Sequence, residues 1–207
     1  MRWLLASARQ GHVEAQSKLA TLYDGGRGVP KDGKKAAFWY GEAAKKGNEW
    51  AQYRLGVMHL TGDGVPRDVC KAANSFYLNA VAGNAASLCN LGAMYAAGLG
   101  LPRNEIQAAI CYGEAALHGD ATAQVNLGAM YRDGDVLVKD ERYAALLFQT
   151  AAVRGYADAK FNFGRMLIAG RGCDADTYLG RQWLHMAAEQ GHRGAARELE
   201  KIGDIGE

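Results

Sequence analysis

The sequence predicts an all-α fold, an α/α solenoid of antiparallel helix pairs, and three observations lead there. Gly11, Gly47, Gly83, Gly119, Gly155 and Gly191 each stand 36 residues from the next. Within each 36-residue interval, apolar residues recur in two blocks at helical spacing. Small residues dominate, with 37 Ala and 27 Gly against 3 Pro in 207 residues, and they follow no low-complexity period. Length alone suggests one or two globular cores. A fixed period of this size instead implies units that stack and share their apolar stripes.

The register holds from end to end. Counting from those glycines, the eighth position is Leu19, Leu55, Leu91, Leu127, Phe163 and Leu199, and the fifteenth is Gly26, Gly62, Gly98, Gly134, Gly170 and Gly206. The thirty-third is Ala44, Ala80, Ala116, Ala152 and Ala188, preceded one period earlier by Ala8. Trp3 aligns in the same way with Trp39 and Trp183. The opening Met1 to Ala8 imitates a signal peptide, but its apolar stretch is too short for export and reads as the tail of a repeat.

Each unit divides into two helices. Ala51, Leu55, Met58 and His59 lie at i, i+4, i+7 and i+8, one face of a first helix over about 49 to 60. Asn48, Asn84 and Asp120 precede first helices as N-caps, and Gly62 and its equivalents end them in the left-handed backbone. After the Gly-x-Gly-Val-Pro type loops, Asp32, Asp68, Asn104, Asp140 and Asp176 are placed to cap second helices. Ala36, Trp39, Tyr40, Ala43 and Ala44 then form the second stripe, which the 36-residue glycine terminates.

These residues closely resemble Sel1-like repeats, relatives of tetratricopeptide repeats with a longer unit. The resemblance rests on Asn-Leu-Gly-Ala-Met-Tyr at 90–95 and 126–131, on the Gly-x-Gly-Val-Pro loops, and on Ala-Ala-Glu-Gln-Gly-His at 187–192. It covers the whole chain as one repeat domain: a partial second helix at 1–10, repeats at 11–46, 47–82, 83–118, 119–154 and 155–190, and a partial first helix at 191–207. It implies a right-handed superhelix whose first helices line a concave surface, used as an adaptor or scaffold for other proteins. The fourth repeat departs from the pattern with Gly134-Asp135-Val136-Leu137-Val138, and the fifth with Cys173-Asp174 in place of Val-Pro. Gly180 and Arg181 replace the paired alanines of the first four repeats, so less regular packing is expected at the last pair.

Composition narrows the partners. Lys and Arg number 24 against 22 Asp and Glu, which leaves no basic field for nucleic acid. Residues 1–103 hold 13 basic and 7 acidic side chains and 104–207 hold 11 and 15, a mild dipole that tunes orientation. No run of about 18 apolar residues exists, so no membrane span is expected.

No catalytic constellation stands out from the repeating scaffold, and no cofactor or metal is expected. There is no Gly-x-Ser-x-Gly among the four serines, and no histidine pair has ligand spacing. Ser87 falls in a core alanine slot. Cys70, Cys89, Cys111 and Cys173 occupy four different register positions, unlike the paired cysteines of some secreted relatives. That pattern favours free thiols and the cytoplasm, with a periplasmic or secreted location as the alternative.

The third, sixth, tenth and thirteenth positions of the first helices cluster opposite the core stripe. They read Trp50, Tyr53, Val57 and Leu60 in the second repeat, Arg132 at the end of the fourth, and Asp158, Phe161, Arg165 and Ile168 in the fifth. Trp50 and Tyr53 are candidate anchors for a peptide. Arg132 and Arg165 are candidates to hold a carboxylate. The competing reading packs these side chains between adjacent first helices. The same choice applies to Asn90, Asn126 and Asn162, either a backbone clamp or an inter-repeat hydrogen bond.

The sequence therefore favours a non-enzymatic protein-interaction scaffold that takes a protein or peptide on the concave face. The alternatives are an enzyme of the β-lactam-binding or hydrolysing type reported for some relatives, and a structural segment of a larger protein or assembly whose repeat ends dock onto other domains or other copies.

Overall fold

The computed structural model describes residues 2–203. Twelve helices and no strand occur among the described residues: α1 (Arg2–Arg9), α2 (Val13–Gly25), α3 (Gly33–Ala44), α4 (Glu49–Thr61), α5 (Val69–Val81), α6 (Ala85–Ala97), α7 (Glu105–Leu117), α8 (Ala121–Asp133), α9 (Glu141–Val153), α10 (Ala157–Ala169), α11 (Thr177–Glu189) and α12 (Arg193–Gly203). From α1 to α6, and again from α7 to α12, each helix packs on its chain neighbour, which makes the fold an α/α solenoid. The helices group into two compact units, Met1–Asn104 and Glu105–Glu207. First helices are α2, α4 and α6 in the former and α8, α10 and α12 in the latter; the remaining six are second helices.

The caps fall at the expected places. Asn48, Asn84 and Asp120 accept from the backbone N–H of Ala51, Ser87 and Ala123. Asp32, Asp68, Asp140 and Asp176 do the same at second helices. Gly26, Gly62, Gly98, Gly134 and Gly170 close five first helices in the left-handed region, with φ between 60° and 81°; Gly206 lies outside the described residues. His12 and Tyr156 are N-caps without a side-chain bond, whereas His192 Nδ1 accepts from the Ala195 N–H at 3.0 Å.

Burial then follows the stripes. Tyr40, Phe76, Phe148 and Leu184 are fully buried at one position of the second helices, and the ninth position of the facing first helix is small: Ala20, Gly56, Gly128 or Gly164. A Cβ on Gly128 would stand 2.9 Å from the Phe148 ring, so the glycine makes room for the aromatic. The less regular packing expected at α11 takes the form of a close approach. Cβ atoms on Gly164 and Gly180 would each meet the other's carbonyl oxygen, at 2.8 and 2.7 Å, so α10 and α11 close backbone against backbone.

Successive units are also tied by polar bonds. Gln16 donates to the Ala8 carbonyl at 3.1 Å and Gln124, at the same repeat position, to that of Ala116 at 3.4 Å, occupying acceptors at second-helix ends. Between successive inter-helix loops Lys31 pairs with Asp63 at 3.1 Å, and Glu141, at the start of α9, pairs with Arg171 of the next loop at 2.6 Å.

Candidate functional site

On the Met1–Asn104 unit the first-helix face centres on α4. Trp50 is 53% exposed and stacks on Tyr53, with ring centroids 5.9 Å apart and planes 28° apart. Tyr53 is half-buried, tilts against Phe76 at 5.8 Å, and receives the Asn90 amide at its hydroxyl at 3.5 Å. Trp50 therefore rests on an inner aromatic that already belongs to the joint between two first helices. Val57 and Leu60 are half-buried on the same helix.

Beside them Arg54 donates to Asp24 across α4 and α2, with Asp24 only 13% exposed, and lies 5.9 Å over the Trp50 ring. The Tyr40 hydroxyl stands 3.2 Å from both Asp24 and Thr21. Burial, and then the Asp24 charge, push that phenol above its ordinary range.

The Glu105–Glu207 unit presents a different chemistry. Arg132, Asn162, Arg165 and Ile168 line one cleft of about 400 Å³ with Asp133 and Glu198. Arg132 binds both Asp133 carboxylate oxygens, at 2.7 and 2.9 Å, and donates to Asn162 Oδ1 at 2.9 Å. The Arg132 guanidinium holds the Asp133 carboxyl below the usual carboxylate range. Arg165 reaches Glu198 only at 3.6 Å, outside hydrogen-bonding distance, and lies 5.5 Å over the Phe161 ring. Phe161 in turn stacks on His192 at 4.5 Å, whose Nε2 faces Asp158 at 3.2 Å. Phe161 and Ile168 also cover the buried cluster of Leu184, Ala187 and Ala195.

The eight candidate residues thus separate into two groups, one on each unit. Tyr53 and Phe161 take part in packing between first helices, while Trp50 and Arg165 present accessible surface. Asn90 and Asn162 each bond a residue of the preceding repeat and also donate to their own helix, at Ala86 and Asp158, both at 2.8 Å. The inter-repeat reading of those two asparagines is therefore the observed one.

Second helices of both units also carry exposed apolar residues at repeating positions. Phe38, Ile110 and Leu146 share the twenty-seventh position of their repeats, and Val81, Leu117 and Val153 the thirty-fourth, and all six are exposed. Leu117 is 85% exposed and Val153 70%. The signal was legible in the register, because large apolar residues recur where a second helix turns away from its core stripe.

Other candidates for chemistry resolve into packing. Ser87 is fully buried. Cys70, Cys89, Cys111 and Cys173 form no disulfide, and burial raises the pKa of Cys111 and Cys173, helped by Glu114 and Asp174 respectively. Among the described residues no three His, Cys, Asp or Glu side chains gather as a metal site, and no helix is long and apolar enough to cross a membrane.

The sequence pattern of the Sel1 repeat matches residues 13–48, 51–82, 85–120, 121–156 and 157–192. The chain belongs to the Sel1 repeat family. No curated protein matches it. Among solved structures it is similar to a protective antigen with an SLR fold present in uropathogenic Escherichia coli strains, at 32% identity and a TM-score of 0.89 over 98% of this chain and 43% of that one. A Sel1 repeat protein from Oxalobacter formigenes aligns at 29% identity and a TM-score of 0.86, over 97% of this chain and 58% of that one. This chain therefore spans about half the length of both. A sel1 repeat protein from Klebsiella pneumoniae, at 20% identity and a TM-score of 0.59 over 97% and 98% of the two chains, shares the fold. Sel1 repeat proteins are generally non-catalytic scaffolds for protein interaction.

Proposed function

We propose that this chain is a non-enzymatic scaffold that binds a peptide or a folded protein along the face of its first helices, anchored at Trp50. One observation carries the reading. Among the described residues Trp50 is the only large apolar side chain on any first helix that is exposed, while its neighbours on that face are packed or paired. An exposed indole braced by Tyr53 and Arg54 offers wide contact area with little rotamer freedom left to lose. Arg165 supplies a charged contact on the other unit.

The test separates the anchor from its support. Trp50→Ala removes the exposed ring and leaves Tyr53, Phe76 and Asn90 in place, so helical circular dichroism and thermal midpoint stay close to wild type. Proteins captured from a native lysate by the wild-type chain and identified by mass spectrometry are expected to be lost or reduced about tenfold with the variant. Undiminished capture by a folded Trp50→Ala chain would remove this face from the binding role.

A further inference from the structure

The cleft among α8, α10 and α12 has a charge its surroundings lack. Residues 104–207 carry 15 acidic against 11 basic side chains, yet three arginines, Arg132, Arg165 and Arg171, line the cleft against two carboxylates, Asp133 and Glu198. The three guanidinium groups are not equivalent. Arg132 is saturated by Asp133 and Asn162, and Arg171 donates through two nitrogens to Glu141 at 2.6 and 3.0 Å. Arg165 alone has no side chain within hydrogen-bonding distance, and its side chain is 53% exposed.

Its position is nonetheless fixed. The guanidinium lies on Phe161, which is clamped by the His192 ring, and His192 is itself held as the cap of α12. A guanidinium stacked on a ring keeps its in-plane N–H groups free for a carboxylate, and the fork geometry matches both oxygens at once. Met166, Ile168 and Ala169 supply an apolar wall to the same cleft. Such a wall suits the aliphatic part of a peptide and lowers the local dielectric around the pair.

We propose that this cleft seats an acidic side chain, Asp or Glu, of the protein partner, received by Arg165 as Glu198 gives way, with an aliphatic neighbour of that residue against Ile168. The inference rests on the reading of the first helices as the binding face and adds the partner's chemistry on the Glu105–Glu207 unit. Arg132 and Arg171 are neutralised by Asp133 and Glu141 and leave the direct bond to Arg165. Glu198 is the internal competitor, so neutralising it strengthens binding.

The probe is a blocked peptide, acetyl-Ala-Leu-Glu-Leu-Ala-amide, titrated into the full 207-residue chain at low salt. Arginine Nε–H resonances and isoleucine methyl groups are followed by NMR. The Arg165 and Ile168 signals are expected to shift saturably, with affinity about tenfold weaker for the Gln counterpart of the peptide. Arg165→Gln abolishes the shift at Ile168, and Glu198→Gln tightens binding severalfold. Equal affinity for the Glu and Gln peptides, or an unchanged titration of Arg165→Gln, overturns the proposal. An unblocked peptide of neutral side chains that binds as well as the Glu peptide also overturns it, by assigning the cleft to a terminal carboxylate. Trp50→Ala capture remains an independent readout: if that capture is lost while the peptides show no discrimination, the scaffold reading stands and the acidic-residue inference fails.

Discussion

Asp24 sits at the end of α2 where the Arg54 guanidinium and the Tyr40 hydroxyl converge on its carboxylate. Removing one member of a partly buried charged pair leaves the other without compensation. Asp24→Ala should cost about 2 kcal/mol in denaturant unfolding, and Arg54→Met, which deletes the other charge and keeps its packing, should recover part of the loss in the double variant. Additive losses would show that the pair has no coupling. The capping aspartates give a pH dependence of defined sign. Asp32 is held below the usual carboxylate range first by the Lys35 side chain, and Asp68 first by the Lys71 backbone N–H. A depressed folded value means that stability is fully present above the unfolded carboxylate value, about 4, and is lost as pH falls through the lower folded value. Asp32→Asn with Asp68→Asn keeps both cap acceptors, so melting between about pH 5 and about pH 2 should depend less steeply on pH than in wild type. These caps were legible because their residue types recur ahead of each stripe. The Asp24–Arg54 pair was not, since its partners are 30 residues apart and neither recurs in the register.

At the scale of elements, the loop after each first helix carries the tightest constraint. The second glycine of the loop, Gly64, Gly100 or Gly172, lies against the start of the preceding second helix, where a Cβ on Gly172 would stand 1.9 Å from the Glu141 carbonyl oxygen. Gly28 has the same left-handed backbone, φ 73° against 72°, but no atom within 4 Å of an added Cβ. Gly28→Ala should therefore cost about 1 kcal/mol of backbone strain, and Gly172→Ala more than about 3 kcal/mol because strain and collision add. Thermal unfolding of the two variants checks the contrast, and equal losses would mean that the loop has no packing role. In the fourth repeat Val136 occupies this position without positive φ. The irregularity of that loop was visible in the sequence. The behaviour of Gly180 was not, because a glycine in an alanine slot can loosen a helix or let two backbones meet, and only the partner Gly164 decides which.

At the scale of the whole molecule, cohesion within each compact unit is a sum of neighbour contacts, since α1 to α6 and α7 to α12 pack mainly on the next helix in sequence. A defect should therefore stay local. Phe148→Ala empties the fully buried aromatic position between α8 and α9 and should cost about 3–5 kcal/mol there. Hydrogen exchange followed by mass spectrometry should then quicken from α8 to α11 and leave α2 and α3 protected; uniform quickening would show an all-or-none chain. The period made this architecture legible, because 36-residue spacing can be read without knowing any contact. The first-helix face was only partly legible, for helical geometry places Trp50 and Tyr53 side by side yet does not say that one is open and the other wedged into a joint. The exposed apolar residues on the second helices of each unit do not follow from periodicity alone, because a recurring apolar position reads first as a buried one.

The loop ion pairs have a bearing on how such a chain tolerates rearrangement. Lys31 faces Asp63 where the first two repeats meet, and Arg171, at the repeat position of Asp63, faces Glu141 where the fourth and fifth meet. Near-identical repeats invite recombination that deletes, duplicates or permutes them. The fourth repeat keeps a lysine, Lys139, at the position of Lys31, whereas the first has Gly33 where the fourth has Glu141. A second-repeat loop grafted after the fourth would therefore still bring Asp63 to a lysine, but a fifth-repeat loop grafted after the first would bring Arg171 to Lys31 with no carboxylate at the Glu141 position. The seams thus admit one transposition more readily than the other.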